Sequence, residues 1–308
     1  MVANIGVMST EQRPTIAVVG PGAVGGLLAW LLHRAGHDVV AVGRPATVAA
    51  FEEHGIEVRG DGAAAAFAAE RFGTGVERVR ASVDVPEGAS IILATKTYGL
   101  DDVLPGIAAS HPVEVLSLLN GVEHMAPLRD ALPGVPVAGA AIAVSAVRAS
   151  RSVIELRSPW VRIEAPEAAA GFSSVAGLTD AGPAVRVRGT EVDVLWAKYR
   201  MLASIALLTS YWRQPVGAAI SEDPELTEAL LTEVVACSNA SGSPASTLQL
   251  VEVLGGVPGG MRTSLQEDLA VGAPNELDAL GGALLRIGAA SGIQTPAVER
   301  IVSALTVA

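Results

Sequence analysis

Short apolar runs alternate with helical patterns along the first part of the chain. The runs that predict strands are residues 15–20, 38–43, 90–95, 113–119 and 136–147. Residues 24–35 and 48–55 carry the spacing of helices, and a further helical stretch separates 90–95 from 113–119. Short apolar strands that alternate with helices predict a parallel sheet covered on both faces.

The pattern changes near Gly189, because only long helical patterns follow. They cover residues 191–212, 223–241, 244–254, 261–271, 275–291 and 295–306, and Thr190 stands where an N-cap is expected. The sequence therefore predicts an α/β fold. A Rossmann-like, doubly wound parallel-sheet domain over residues 14–189 is followed by an all-α C-terminal domain over 190–308. The first 13 residues are expected to form a loose tail.

A glycine-rich turn joins the first predicted strand to the first helix. It reads GPGAVGG at 20–26, with Gly20, Gly22 and Gly25 at the G-x-G-x-x-G positions. In a dinucleotide site these glycines permit the tight turn, admit the pyrophosphate and allow close helix packing. The backbone N–H groups that follow, at Ala23 and Val24, would face the anion at the helix N-terminus. The alternative is a glycine-rich turn that binds nothing.

Polar residues at the ends of later strands extend this hypothesis. The second strand ends at Gly43-Arg44 without an acidic residue, which favours NADP (NADPH) over NAD, because arginine can pair with a 2′-phosphate. The alternative for Arg44 is a solvated loop charge. Lys96 and Asn120 follow the strands at 90–95 and 113–119, where cofactor or substrate would bind. Their alternative is ordinary turn chemistry.

Composition excludes several classes of function. The 308 residues are 50% hydrophobic and carry a formal net charge of −11, which argues against nucleic-acid binding. No uninterrupted apolar run reaches the length of a membrane span, so no membrane partner is expected. The single Cys237 favours a reducing, cytoplasmic setting, and the five histidines do not have the spacing of a metal site.

Lys198 lies within VLWAKYRMLASIALLTSYW (194–212), a helix that is apolar on nearly every face. Desolvation lowers the pKa of a lysine, and a nearby carboxylate raises it again. The balance can produce a proton donor for the alkoxide that forms when a ketone accepts hydride. The alternatives are a structural ion pair and a side chain that extends to solvent past Trp196.

Together these motifs resemble the ketopantoate reductase (2-dehydropantoate 2-reductase) family of pantothenate biosynthesis. The resemblance runs from about Thr15 to Ile301. It is carried by GPGAVGG, Arg44, TKTYGLDDVLP at 95–105, LLNGV at 118–122, LWAK at 195–198 and TSLQEDLAVGAPNELDALGG at 263–282. It implies an NADPH-dependent reduction of a 2-oxo acid, with the following roles: Lys198 as general acid, Glu276 as its carboxylate partner, Lys96 and Asn120 as contacts to cofactor and substrate, and Ser264 as a contact to the substrate carboxylate.

The chain departs from the family in its substrate half. The family carries asparagines one and two turns after the lysine, where this chain has Leu202 and Ala206, and a third asparagine where it has Gly281. Leu202 and Ala206 are therefore expected to line a more apolar substrate pocket, for a hydrophobic 2-oxo acid or ketone. Two alternatives stay open: a non-catalytic NADP(H)-binding regulatory protein, and another Rossmann dehydrogenase of the hydroxyacid type. The apolar helical domain could also hold a homodimer interface.

Overall fold

The computed structural model describes residues 14–307; the tail expected over the first 13 residues lies outside them. The strands of this part are β1 (Ile16–Val19), β2 (Val39–Val42), β3 (Ile56–Gly60), β4 (Gly75–Glu77), β5 (Arg80–Ser82), β6 (Ser90–Leu93), β7 (Glu114–Ser117), β8 (Val137–Gly139), β9 (Ala141–Ala143), β10 (Ala146–Arg148), β11 (Val153–Leu156), β12 (Arg162–Ala165) and β13 (Ala184–Val187).

The α-helices of the described residues fall into two groups. The first group is α1 (Ala23–Arg34), α2 (Pro45–His54), α3 (Ala63–Arg71), α4 (Leu100–Ala109), α5 (Met125–Ala131) and α6 (Ser173–Asp180). The second is α7 (Glu191–Trp212), α8 (Val216–Glu222), α9 (Pro224–Ala240), α10 (Thr247–Gly255), α11 (Ser264–Ala270), α12 (Ala283–Ser291) and α13 (Pro296–Thr306). A π-helical segment, Asp278–Gly282, leads directly into α12.

The main sheet has six parallel strands in the order β5-β2-β1-β6-β7-β8. This is the strand order of doubly wound dinucleotide-binding domains, with the reversal beside β1. Every residue of β1, β2, β6 and β7 is buried, which explains why these strands read as continuous apolar runs. The predicted fold class, a Rossmann-like sheet followed by a helical region, is confirmed.

Two smaller sheets were not predicted. One has the order β10-β11-β3-β4 and the other β13-β12-β9. The single strand expected over 136–147 is wrong, because the chain divides there into β8, β9 and β10, one in each sheet. This stretch is rich in alanine and lacks the two-residue alternation that marks a strand with one buried face. The exposed Ala143 and Ser145 stand where it bends away.

The helical part begins with α7, whose N-cap is Thr190, as the sequence predicts. The structure adds a capping box between Thr190 and Asp193. The core beneath α7 includes the fully buried Leu207 and Cys237. Buried Glu233 accepts hydrogen bonds from the first backbone N–H groups of α13. The short helix α8 was missed, and the helix predicted over 275–291 contains the π-helical segment.

The described residues pack as two compact units. The first comprises the chain up to Thr95 with Gly99–Leu119 and Leu128–Arg188. The second comprises Lys96–Tyr98, Asn120–Pro127 and the chain from Gly189 onward. Two short segments that follow β6 and β7 therefore pack with the helices, although the predicted domain over 14–189 assigned them to the sheet. None of the helices within residues 14–307 combines the length and apolar character of a membrane span.

Candidate active site

The glycine loop of the first unit has the shape of a pyrophosphate cradle. Gly20 has a φ of +86°, and a Cβ there would lie 2.5 Å from Thr95 Cγ2. A Cβ at Gly25 would lie 2.4 Å from the carbonyl oxygen of Gly20, so both positions require glycine. A Cβ at Gly22 would meet no atom within 4 Å. The loop is thus closely packed at Gly20 and Gly25 and open at Gly22, where a phosphate would approach.

The helix after this loop has an uncapped N-terminus. Gly22 is the N-cap of α1 and contributes no side-chain hydrogen bond, and no acidic residue lies in the first turn. The backbone N–H groups of the first turn, at Ala23, Val24 and Gly25, have no acceptor four residues earlier within the helix. A dinucleotide phosphate is an anion that such a terminus binds well. The residues present therefore fit the cofactor that the sequence predicts.

Arg44 directly follows β2 and is the N-cap residue of α2. The residue is exposed, and within residues 14–307 its side chain forms no ion pair or hydrogen bond. No acidic residue stands at this strand end, which reads Gly43-Arg44-Pro45. The guanidinium is therefore available to a ligand phosphate, as the NADP hypothesis requires.

Four polar side chains form one hydrogen-bonded network in the second unit. Lys96 follows β6, Asn120 follows β7, Lys198 lies on α7 and Glu276 precedes the π-helical segment. The Nζ of Lys96 donates to Glu276 Oε2 at 3.0 Å, and Asn120 Nδ2 donates to the same oxygen at 3.0 Å. The Nζ of Lys198 donates to Asn120 Oδ1 at 2.8 Å. The structure thus brings together four residues that lie far apart in the sequence.

Glu276 is the centre of this network. Its side chain is only 3% exposed, and its second oxygen, Oε1, accepts from the Thr97 backbone N–H at 3.3 Å and from the Thr97 hydroxyl at 3.2 Å. Burial favours the neutral form of the carboxyl group, but Lys96, Asn120 and Thr97 together hold the pKa of Glu276 below its usual value. Glu276 is therefore an ionised carboxylate with four donors.

Lys198 is partly buried, and its ammonium group is poorly solvated. Desolvation is the largest influence and lowers the pKa of Lys198 to about 8, with the charge of Lys96 acting in the same direction. Glu276 opposes this shift without restoring the ordinary value. A lysine with this pKa can donate a proton near neutral pH.

The two lysines of the network differ in their relation to Glu276. Burial also disfavours the charge of Lys96, but Glu276 at 3.0 Å and Asp268 at 3.7 Å raise the pKa of Lys96. The expectation that Glu276 pairs directly with Lys198 is corrected: the ion pair of Glu276 is with Lys96, and Lys198 reaches it through Asn120. The physical reason is that the side chain of Asn120 occupies the position between them.

The residues expected to contact the substrate differ in how far their side chains are exposed. Ala206 is fully buried in the helical core and has no surface for a substrate, so the expectation of a contact there is wrong. Leu202 lies one turn after Lys198 and is partly buried. Ser264 is exposed as the first residue of α11, whose N-cap is Thr263. A Cβ at Gly281 would lie 2.4 Å from Val302 Cγ2, so this backbone has no room for a larger residue there.

Sequence reasoning missed the role of Thr97 and gave Asp268 no function. The position of Thr97 next to Lys96 could have indicated its role. A threonine at a strand end can donate hydrogen bonds from its backbone N–H and its hydroxyl to the same acceptor. Asp268 lies within the segment 263–282 that carries the family resemblance, and the structure places its carboxylate beside Lys96. No three His, Cys, Asp or Glu side chains in the part of the chain that the structure describes are grouped as metal ligands.

Comparisons with known proteins agree with this architecture. The family model described as ketopantoate reductase PanE/ApbA matches residues 16–169, and the model of the ketopantoate reductase PanE/ApbA C terminal matches residues 192–308. A 2-dehydropantoate 2-reductase of Caulobacter vibrioides is 32% identical over 304 residues, which cover 96% of this chain and 99% of that protein.

Solved structures share the fold. The crystal structure of a PanE/ApbA family ketopantoate reductase from Ralstonia eutropha JMP134 has a TM-score of 0.82 and 26% identity, covering 95% of this chain and 97% of the other. The ternary structure of D-mandelate dehydrogenase with NADH and anilino(oxo)acetate has a TM-score of 0.80 and the same coverages. At 18% identity, the second likeness concerns the fold alone.

Proposed function

The chain belongs to the ketopantoate reductase family, and from this premise we propose that it is an NADPH-dependent reductase of a 2-oxo acid or related ketone. The observation that carries the proposal is the network around Lys198. A partly buried ammonium with a pKa of about 8 donates to Asn120, which in turn donates to the ionised Glu276. Such an arrangement fits a proton donor better than a structural ion pair, because the direct partner of Glu276 is Lys96.

The cofactor assignment rests on the glycine loop and Arg44. When bound, the nicotinamide cofactor supplies a hydride to the carbonyl carbon of the substrate. The cradle at Gly22 and the first turn of α1 would hold its pyrophosphate, and the exposed guanidinium of Arg44 would pair with the 2′-phosphate that distinguishes NADPH from NADH. We also propose Lys96 and Asn120 as contacts to the bound cofactor or substrate.

Residues of the protein would supply the proton that the reduction needs. The Nζ of Lys198 would donate a proton to the oxygen that becomes the alcohol, which stabilises the charge developing there. Asn120 would orient that Nζ through its Oδ1. Glu276 would stay ionised, because its four donors stabilise the charged form, and its negative charge would favour reprotonation of Lys198.

The substrate is proposed to be more hydrophobic than ketopantoate. Leu202 stands where the family has an asparagine and offers a partly buried apolar side chain one turn from Lys198. Close packing around Gly281 leaves no space for the third family asparagine. Ser264, exposed at the start of α11, stays the proposed contact to the substrate carboxylate. An apolar wall discriminates weakly between side chains of similar size, so activity towards several oxo acids is expected.

The experiment that tests the proposal is NADPH oxidation with a panel of 2-oxo acids of rising hydrophobicity, ketopantoate included. We expect turnover, with a hydrophobic 2-oxo acid as the best substrate. Ketopantoate as the best substrate would contradict the apolar pocket but not the reductase. NADPH binding without turnover of any ketone would favour a regulatory binding protein instead. A cytoplasmic setting and a homodimer stay predictions.

A further inference from the structure

A second group of charged side chains lies outside the Lys198 network. Arg286 of α12 contacts Glu123 through its Nε at 3.2 and 3.1 Å and through its Nη2 at 2.6 Å. The same guanidinium donates to both carboxylate oxygens of Asp278, at 2.7 and 3.1 Å. These two carboxylates raise the pKa of Arg286, which stays charged at any physiological pH. One arginine thus holds two acidic residues in bidentate geometry.

Each acidic residue belongs to a segment that carries a residue of the network. Glu123 follows Asn120 by three residues, and Asp278 follows Glu276 by two. Between Asn120 and Glu123 the chain turns at Gly121, whose φ is +83° and whose Cβ position lies only 3.1 Å from the carbonyl oxygen of Ala279. The segment after β7 therefore runs closely along the π-helical segment, and Arg286 joins the two by charge.

We propose that Arg286 and Glu123 form a clamp that positions Asn120 between Glu276 and Lys198. The catalytic consequence rests on the proposed reductase function. Asn120 must keep its Oδ1 on Lys198 and its Nδ2 on Glu276 at the same time, so a small displacement of its backbone breaks one of the two hydrogen bonds. The clamp is about half exposed and contributes little to global stability, so its effect is on local geometry.

The test compares Arg286→Gln, Glu123→Gln and the double variant with a matched control, Arg300→Gln. Arg300 also lies on a helix of the second unit, where its Nε donates to the Tyr211 hydroxyl away from the clamp. Hydrogen–deuterium exchange is measured for the peptide covering residues 118–127. We expect faster exchange in all three clamp variants and wild-type exchange in the control, with melting temperatures close to wild type in each.

Measurements of kcat distinguish a clamp that positions Asn120 from one that has only a structural role. We expect each clamp variant to lower kcat by about tenfold, because small misplacements in an active site are costly. The double variant should be about as active as Arg286→Gln alone, because Arg286→Gln already removes the contact to Glu123. Arg286→Lys, which keeps the charge, should recover part of the lost kcat. The alkaline limb of kcat should move to lower pH, since Lys198 loses the acceptor that stabilises its charged form.

Unchanged exchange over 118–127 in the clamp variants would overturn the inference. Faster exchange with wild-type kcat would also overturn it, because Asn120 would then not depend on the clamp. A wild-type protein that turns over no oxo acid would refute the proposed function instead. The exchange measurement needs no activity, so it would still decide whether the clamp orders this segment.

Discussion

The sharpest prediction concerns the pH dependence of reduction. If the Nζ of Lys198 donates the proton, the rate follows the protonated fraction of a group whose pKa is about 8. That fraction is about 90% at pH 7 and about 10% at pH 9, so the rate should fall by roughly tenfold between them. A lysine with an ordinary pKa would still be about 97% protonated at pH 9, and the rate would hardly change.

Two substitutions should move this alkaline limb in opposite directions. The charge of Glu276 raises the pKa of Lys198, so Glu276→Gln should shift the limb to lower pH. The charge of Lys96 lowers the pKa of Lys198, so Lys96→Met should shift the limb to higher pH. Both residues are also proposed to affect binding, so the comparison uses single-turnover reduction at saturating NADPH and oxo acid.

The assay follows NADPH absorbance by stopped flow in overlapping buffers from pH 6 to pH 10.5. Parallel circular dichroism spectra at each pH would report whether the fold persists. The reasoning is refuted if the wild-type rate stays constant to pH 10, or if Glu276→Gln and Lys96→Met move the limb in the same direction. Either result would show that the pKa of Lys198, as set by the charges of Glu276 and Lys96, does not control the rate.

Four further substitutions test the glycine loop and the proposed cofactor and substrate contacts. Arg44→Gln should raise the KM for NADPH by about tenfold and leave the KM for NADH within about twofold, because only the 2′-phosphate contact is lost; equal changes for both cofactors would contradict this. Gly25→Ala should destabilise the protein by about 1–3 kcal/mol in urea unfolding, since its Cβ meets the Gly20 carbonyl oxygen. Gly22→Ala should instead preserve stability and weaken cofactor binding in a fluorescence titration, and a stability loss equal to that of Gly25→Ala would exclude the open cradle. Leu202→Asn should move preference towards smaller, more polar 2-oxo acids in the substrate panel, whereas an unchanged order of kcat/KM would exclude Leu202 from the pocket.

Much of the fold could be predicted from sequence because its strands are buried on both faces. β1, β2, β6 and β7 read as apolar runs for that reason, and the Thr190 cap marks the start of α7. The smaller sheets could not be predicted in the same way. Several of their strands, such as β4 and β13, are short and contain no buried residue. Pairing between segments that are distant in the sequence also leaves no local periodicity.

The candidate site could be predicted as a set of residues but not as a network. The resemblance to the family indicated Lys198 and Glu276 as partners, whereas the structure places Asn120 between them and Lys96 against the carboxylate. Which of two lysines reaches a carboxylate depends on distances of a few ångströms, and a linear sequence does not contain them. The burial of Ala206 likewise depends on which face of α7 meets the other helices.

The most direct test of the central claim is the activity of Lys198→Ala, with Tyr98→Ala, an exposed neighbour of the network, as the control. We measure single-turnover reduction of the best oxo acid beside the dissociation constant of NADPH. The account predicts that Lys198→Ala slows reduction by about a hundredfold or more while NADPH binding and the melting temperature stay near wild type. A variant that reduces the substrate at the wild-type rate would contradict it.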